Sequence, residues 1–337
     1  MKRVAVWGLT ALLAFAITAP TVSANGEVNV YSYRQPFLIK PMFAAFTRDT
    51  GIAVNTVFAK KGLSERLRQE GKNSPADLIF TVDIARLTDV HEQGLTQKID
   101  SSVLKANIPA AYHGPQSHWV GLTSRARIIV ASKALDLKSI TYEALADPEH
   151  KGRLCTRSGK HPYMVALVAA MISHHGEEAA ENWLRGVKAN LARKPTGNDR
   201  AQVKAISEGE CEIAVINHYY LGKMLASEEQ SAWVDAVDII FPNQSDRGTH
   251  VNVSGVALAK YAPNRANAIK LIEFLSGDLA QQMYAEQNAE YPLKAGVPWS
   301  GLLQSFGTFK TDSLALQDIA AKRNAASKLV DRVNYDG

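Results

Sequence analysis

Short strand-like runs alternate with helical stretches along most of this chain. Residues 28–33, 52–58 and 77–81 read as strands, and 40–50, 63–70 and 84–93 as helices, with Gly51 and Gly94 closing the first and third. A strand at 125–131, built on Ile128, Ile129 and Val130, leads through a polar stretch into a second set. There 153–156 and 212–216 read as strands and 164–173 and 177–189 as helices. The chain turns strand-like again at 237–241 and 251–259, and 312–333 predicts one or two amphipathic helices lying on a lobe surface. This is an α/β pattern with parallel sheet units, and two lobes joined by crossing strands is the economical arrangement. Neither a low-complexity segment nor a solenoid repeat interrupts it.

The start of the chain changes the picture. Lys2 and Arg3, an apolar stretch over 4–17 and Val22-Ser-Ala24 read as a secretory signal over residues 1–24, with the mature chain beginning at Asn25. The leader carries two of the 38 basic residues and none of the 33 acidic ones, which leaves a mature net charge of +3. So mild a balance, evenly spread, gives no case for nucleic acid and suits a protein that handles anions. The two cysteines, Cys155 and Cys211, lie in the exported part and belong to no C-x-x-C pair. One structural disulfide is the expectation.

No P-loop, G-x-S-x-G, H-E-x-x-H or G-x-G-x-x-G is present, which shifts weight from catalysis toward binding. Two segments match each other: Cys155-Thr-Arg-Ser-Gly-Lys-His-Pro-Tyr163 and Cys211-Glu-Ile-Ala-Val-Ile-Asn-His-Tyr219-Tyr220. A tyrosine follows each cysteine by eight residues, so a disulfide between neighbouring strands would bring three phenols to one sheet edge, where open α/β sheets bind ligands. Tyr163 also follows Ser158 and Gly159 at an expected helix start, whose free N–H groups favour an anion or phenolate. Phenols are neutral at pH 7, so a group of three has no electrostatic use until a hard, highly charged cation displaces their protons. Partly buried aromatics at a loop edge are the competing reading of the same residues.

Blocks at Val30-Tyr-Ser-Tyr-Arg-Gln35, Pro75-Ala-Asp-Leu-Ile-Phe-Thr-Val-Asp83, Gly121-Leu-Thr-Ser-Arg-Ala-Arg127, Arg157-Ser-Gly-Lys160 through Tyr163, Tyr219-Tyr220 and Val253-Ser-Gly-Val256 occur in an order that covers nearly the whole mature chain. In these the chain resembles the periplasmic ferric-ion-binding proteins of bacterial ABC importers, in their tyrosine-rich, anion-assisted subgroup. The resemblance implies a type II periplasmic binding protein fold with a cleft between lobes. It implies Tyr163, Tyr219 and Tyr220 as ferric ligands, Arg34 and Arg125 as residues for an assisting carbonate or bicarbonate, and delivery to an ABC permease. Subgroups with an early histidine ligand differ, since Arg34 and Gln35 follow Tyr33 here, and Val82-Asp83 stands where some relatives place a glutamate. His161 and His218 are expected as loop or supporting residues, and His174-His175 as a solvated helix end.

Together these readings give an exported, monomeric, non-enzymatic protein of the periplasm. Residues 25–125 with 246–300 are expected to form one lobe and 126–245 the other, with 301–337 packing on a lobe. The rivals are a binder of another small solute, such as a polyamine, thiamine or an oxyanion, and a periplasmic enzyme.

Overall fold

The computed structural model describes residues 26–337, so the leader read at 1–24 lies outside the described residues. The chain runs through β1 (Glu27–Ser32), α1 (Pro36–Thr50), β2 (Ala53–Phe58), α2 (Leu63–Glu70), β3 (Leu78–Thr81), α3 (Ile84–Glu92), β4 (Thr96–Gln97), α4 (Ser102–Asn107) and β5 (Trp119–Ser132). It continues with β6 (Leu154–Cys155), α5 (Pro162–His175), α6 (Glu177–Ala189), α7 (Asp199–Ser207), β7 (Ile213–Asn217), α8 (Tyr219–Leu225), α9 (Glu228–Asp235) and β8 (Val237–Ile240). Then come β9 (Val251–Ala259), α10 (Arg265–Ser276), α11 (Asp278–Asn288), β10 (Tyr291–Pro292), α12 (Gly301–Ser305), α13 (Leu316–Ala321) and α14 (Arg323–Arg332).

The first lobe begins as expected, with β1 pairing in parallel with both β2 and β3. α1 starts earlier than its pattern predicts. Pro36 takes the first turn, where a missing N–H costs nothing, and the helix continues through Pro41. It buries Ile39, Met42, Phe43 and Phe46, one stripe at helical spacing, and stops at Gly51, whose φ of 72° is left-handed.

The larger departure is β5. The sequence predicts a strand at 125–131, but β5 begins at Trp119 and is buried along almost its whole length. Its first half pairs antiparallel with β9, from Trp119↔Ala257 to Ala126↔Val251, while Arg127–Ala131 pairs antiparallel with β7. Gly121, Thr123 and Ser124, with a register shift between Gly121 and Thr123, obscure the first half from any apolar-run criterion. β9 pairs β3 on its other side, so β5 and β9 carry the chain between the lobes. The sheet is thus mixed: β6 and β7 are parallel, and the pairings around β5 and β9 are antiparallel.

α5 is buried from Met164 to Ile172 and is covered by α6, α13 and α14; α13 also packs on α3 of the first lobe. The His174-His175 pair ends α5 as expected, with His175 exposed and His174 partly so, but both rings are also paired. Their Nε2 atoms lie 2.7 Å from carboxylate oxygens of Asp312 and Glu143, respectively. No helix among the described residues is long and apolar enough to cross a membrane.

Cys155 ends β6 and Cys211 precedes β7, and they form a disulfide with a Cα–Cα distance of 5.9 Å. Thiol titration of the unfolded, unreduced protein should therefore find no free cysteine. The bridge closes a loop with a sequence separation of 56, worth about 4 kcal/mol in the chain-entropy model. Urea unfolding of a Cys155→Ser/Cys211→Ser variant should show a loss approaching that value, and unchanged stability would mean the loop is held by other contacts.

Candidate functional site

Two strand-to-helix turns bring the tyrosines together. His161 caps α5, its Nδ1 accepting from the Tyr163 N–H at 3.2 Å, and Pro162 opens the helix, so Tyr163 stands in the first turn. On the neighbouring strand, β7 passes almost directly into α8, which begins with Tyr219 and Tyr220. His218, fully buried between them, accepts the Ala126 N–H at 3.1 Å and stacks on Tyr291 with ring centroids 4.4 Å apart. Burial holds the His161 ring near a pKa of 3 and that of His218 near 4, so both are neutral supports for the turns.

The Tyr163 and Tyr219 oxygens are 2.9 Å apart, and the Tyr219 and Tyr220 rings stack at 4.7 Å. The equal eight-residue spacing does lead to one place, though by unequal paths. Cys155 pairs with Ala214, three residues beyond Cys211, and the irregular stretch 156–161 takes up the difference.

Burial raises the pKa of the Tyr163 and Tyr219 phenols above the ordinary value, and the Arg125 guanidinium opposes that rise. Arg125 lies 6.0 Å from the Tyr163 ring centroid and 5.8 Å from that of Tyr219. One of its terminal nitrogens donates to the Val82 carbonyl, and its buried Nε has no partner among the described residues. Arg157 lies 5.1 Å from the Tyr163 centroid, and Arg200 5.3 Å from that of Tyr220. Arg157 is fixed by Asp199, which receives Nη1 of Arg157 at 2.8 Å, Nη1 of Arg127 at 2.9 Å and the Asn217 N–H at 2.8 Å.

Arg34 reaches the same cleft from the first lobe, with most of its donors already used. Nη2 donates to both oxygens of Glu290 at 3.1 Å and Nη1 to the Ser254 hydroxyl, leaving only Nε without a partner. Thr123 also donates to Glu290, at 2.7 Å. Burial alone would raise the Glu290 pKa, but Arg34 and Arg125 bring it below the usual value, so the carboxylate is ionised.

Tyr33 also lines this cleft, but its hydroxyl and that of Tyr31 are engaged elsewhere. The Tyr31 hydroxyl donates to Glu70 at 2.8 Å, and the Tyr33 hydroxyl accepts the Ser64 N–H at 2.9 Å. Nor are the N–H groups before α5 free as the sequence suggested, because Gly159 N–H donates to the Asp336 carboxylate at 2.7 Å. Glu290, Asp199 and Asp336 carried no sequence signal of their roles, since each acts on a partner at least 18 residues away.

The cleft holds about 490 Å³. Its lining includes the three tyrosines, six cationic side chains (Arg34, Lys60, Arg86, Arg125, Arg200 and Lys223) and two carboxylates, Asp83 and Glu290. Among the described residues no group of three or more His, Cys, Asp or Glu side chains is placed to hold a metal.

Comparison with known proteins agrees in extent and in fold. Residues 73–300 match the family model of bacterial extracellular solute-binding proteins. Iron uptake protein A1 of a Synechocystis strain is 42% identical over 322 residues, 94% of this chain and 89% of that protein. Apo ferric ion-binding protein A of Pasteurella haemolytica superposes with a TM-score of 0.88 at 53% identity, covering 92% of this chain and 98% of that one. A Trichodesmium protein solved with iron and citrate superposes at 0.87 with 42% identity, covering 92% and 100%. This chain therefore belongs to the bacterial extracellular solute-binding protein family and has its two-lobed, type II periplasmic binding fold.

Proposed function

We propose that this protein is an exported, periplasmic carrier that binds one ferric ion between its lobes and delivers it to an ABC permease. Tyr163, Tyr219 and Tyr220 supply the phenolates. The carrying observation is the pair of phenol oxygens 2.9 Å apart, with a third phenol stacked beside them in a cleft rich in arginine. A hard trivalent ion prefers anionic oxygen, and three phenolates would balance its charge. The relatives named for iron uptake and ferric-ion binding support the same reading.

The excess of cations over carboxylates speaks against a polyamine or thiamine, which would want free carboxylates or stacking planes. It favours an assisting anion, carbonate or bicarbonate, held by Arg125 and Arg34 through their unpartnered Nε groups. The lobe limits read from the sequence belong to this proposal, supported by the change of β5 partners after Ala126. So do a monomeric carrier and a binding role without turnover.

Replacing Tyr219 or Tyr163 with Phe keeps the ring and removes the oxygen. Ferric affinity should fall by about a hundredfold or more, beyond the 10–100-fold typical of losing an outer partner of a metal ligand. Thermal unfolding of the iron-free protein should change little. Iron titrations that match wild type in both variants would leave the phenols as packing groups.

Each phenol that becomes a phenolate gives up a proton, and burial makes that proton harder to remove. Affinity should therefore rise with pH, by up to about one logarithmic unit per pH unit for each phenol ionised. A ferric titration at several pH values, with competing citrate held constant, measures the slope, and a slope of zero would rule out phenol ionisation.

The anion is tested by Arg125→Lys and Arg34→Lys. Lysine keeps the charge that Glu290 needs and removes the planar fork of donors. Arg34→Ala would instead strand a buried carboxylate at a cost of about 3–5 kcal/mol. Bicarbonate should strengthen iron binding less in Arg125→Lys than in wild type, with a smaller loss in Arg34→Lys. Equal enhancement in all three proteins would overturn both anion assignments.

A further inference from the structure

The stretch carrying Tyr163 is gripped from behind by the segment that follows α14. Between Cys155 and Pro162 the chain has no helix or strand, and its local bonds are a turn in which His161 N–H donates to the Ser158 carbonyl at 3.1 Å and the His161 cap of α5. Asp199 anchors Arg157 within it, and a second set of constraints comes from residues 177 to 179 positions later. The hydroxyls of Thr156 and Tyr335 lie 2.9 Å apart, both side chains being buried. The Asp336 carboxylate accepts from the Ser158 hydroxyl at 2.5 Å and from the Gly159 N–H at 2.7 Å.

The approach is as close as a glycine permits. A Cβ at Gly159 would lie 2.7 Å from the Tyr335 ring and 2.9 Å from a Val330 methyl. The gripping segment is itself held, because Lys188 donates to the carbonyls of Val333 at 3.2 Å and Asn334 at 2.6 Å. α14 packs along α5, the helix whose first turn carries Tyr163.

We infer that Asp336, backed by Tyr335, is a positioning residue for Tyr163: its carboxylate ties down the loop so that the phenol is in place before an ion arrives. The inference rests on the reading of Tyr163 as a ligand. A ligand that is held beforehand need not be ordered on binding, and affinity gains by the ordering entropy avoided. Asp336 suits this role because a charged acceptor on a backbone N–H gives a short, strong bond without entering the cleft.

The test uses the full chain with Asp336→Ala, Asp336→Asn and Asp336→Glu. Ferric titrations follow the visible phenolate-to-iron absorption, and amide hydrogen exchange across 156–163 is read on iron-free protein. Asp336→Ala should raise the ferric Kd about tenfold, equivalent to about 1.4 kcal/mol, shift the absorption maximum and speed exchange at Gly159. Asp336→Asn, which can still accept the Gly159 N–H without a charge, should recover part of each effect, and Asp336→Glu should recover less than wild type.

Wild-type exchange at Gly159 in Asp336→Ala would overturn the clamp itself. Faster exchange with unchanged Kd and absorption maximum would overturn its role in positioning the phenol. If wild type shows no visible band with iron, the ferric reading fails, and the exchange measurement still judges the clamp separately.

Discussion

One strand face organises this molecule. Thr123, Arg125 and Arg127 occupy alternate positions along β5, with Ser124 and Ala126 between them, and so point to the same side. The strand changes its pairing from β9 to β7 just as it passes them. Thr123 therefore donates to Glu290 in the first lobe, Arg127 bonds Asp199 in the second, and Arg125 stands between them beside the phenols. A single run of backbone pairing thus fixes three polar centres in line. A one-residue slip of β5 would send all three to the opposite face and bring Ser124 and Ala126 in their place.

Charge balance along that line separates support from reactivity. Arg34 is matched by Glu290, and Asp199 is shared by Arg127 and Arg157, the pairing that buried ions need to repay their desolvation. Arg125 is the exception, with no carboxylate in ion-pair contact among the described residues although it is almost completely buried. The groups whose negative charge bears on it are the Tyr163 and Tyr219 phenols, whose ionisation burial suppresses and Arg125 favours, and the Glu290 and Asp83 carboxylates. The second lobe also keeps one more arginine than Asp199 can neutralise. The cleft consequently carries an excess of positive charge, and on the proposed reading a trivalent ion with three phenolates adds none, which leaves the excess for a small oxyanion to offset.

Local and periodic features were legible in the sequence. The strand and helix alternation, the limits of α2, α6 and β9, and the two cysteine-to-tyrosine spacings all survive, since each depends on residues close together in the chain. Choice of distant partner was not legible. Arg34 resembled an open anion anchor, yet Glu290, 256 residues on, occupies its terminal nitrogens. The loop at Ser158 and Gly159 resembled a set of free donors, yet Asp336 fills it. No periodicity marks such pairs, because either partner alone reads as an ordinary polar residue at a strand end or tail. The missing half of β5 has a different cause: a strand that carries polar groups toward a cleft on one face lacks the continuous apolar run expected of a buried strand.

The two lobes are also unequally prepared. In the second, a disulfide ties the bases of both tyrosine segments, Asp199 anchors Arg157 beside the rings, and Asp336 fastens the loop leading to Tyr163. In the first lobe Tyr31 and Tyr33 are bound to Glu70 and Ser64, and Arg34 is largely committed. On the proposed reading, an ion would meet all three of its phenol ligands on the second lobe alone. Closure of the first lobe would then add positive potential and exclude water, which strengthens every electrostatic contact already made. On the same reading, opening would remove that surrounding without breaking a metal–phenolate bond, and protonation of the half-buried phenols would favour release.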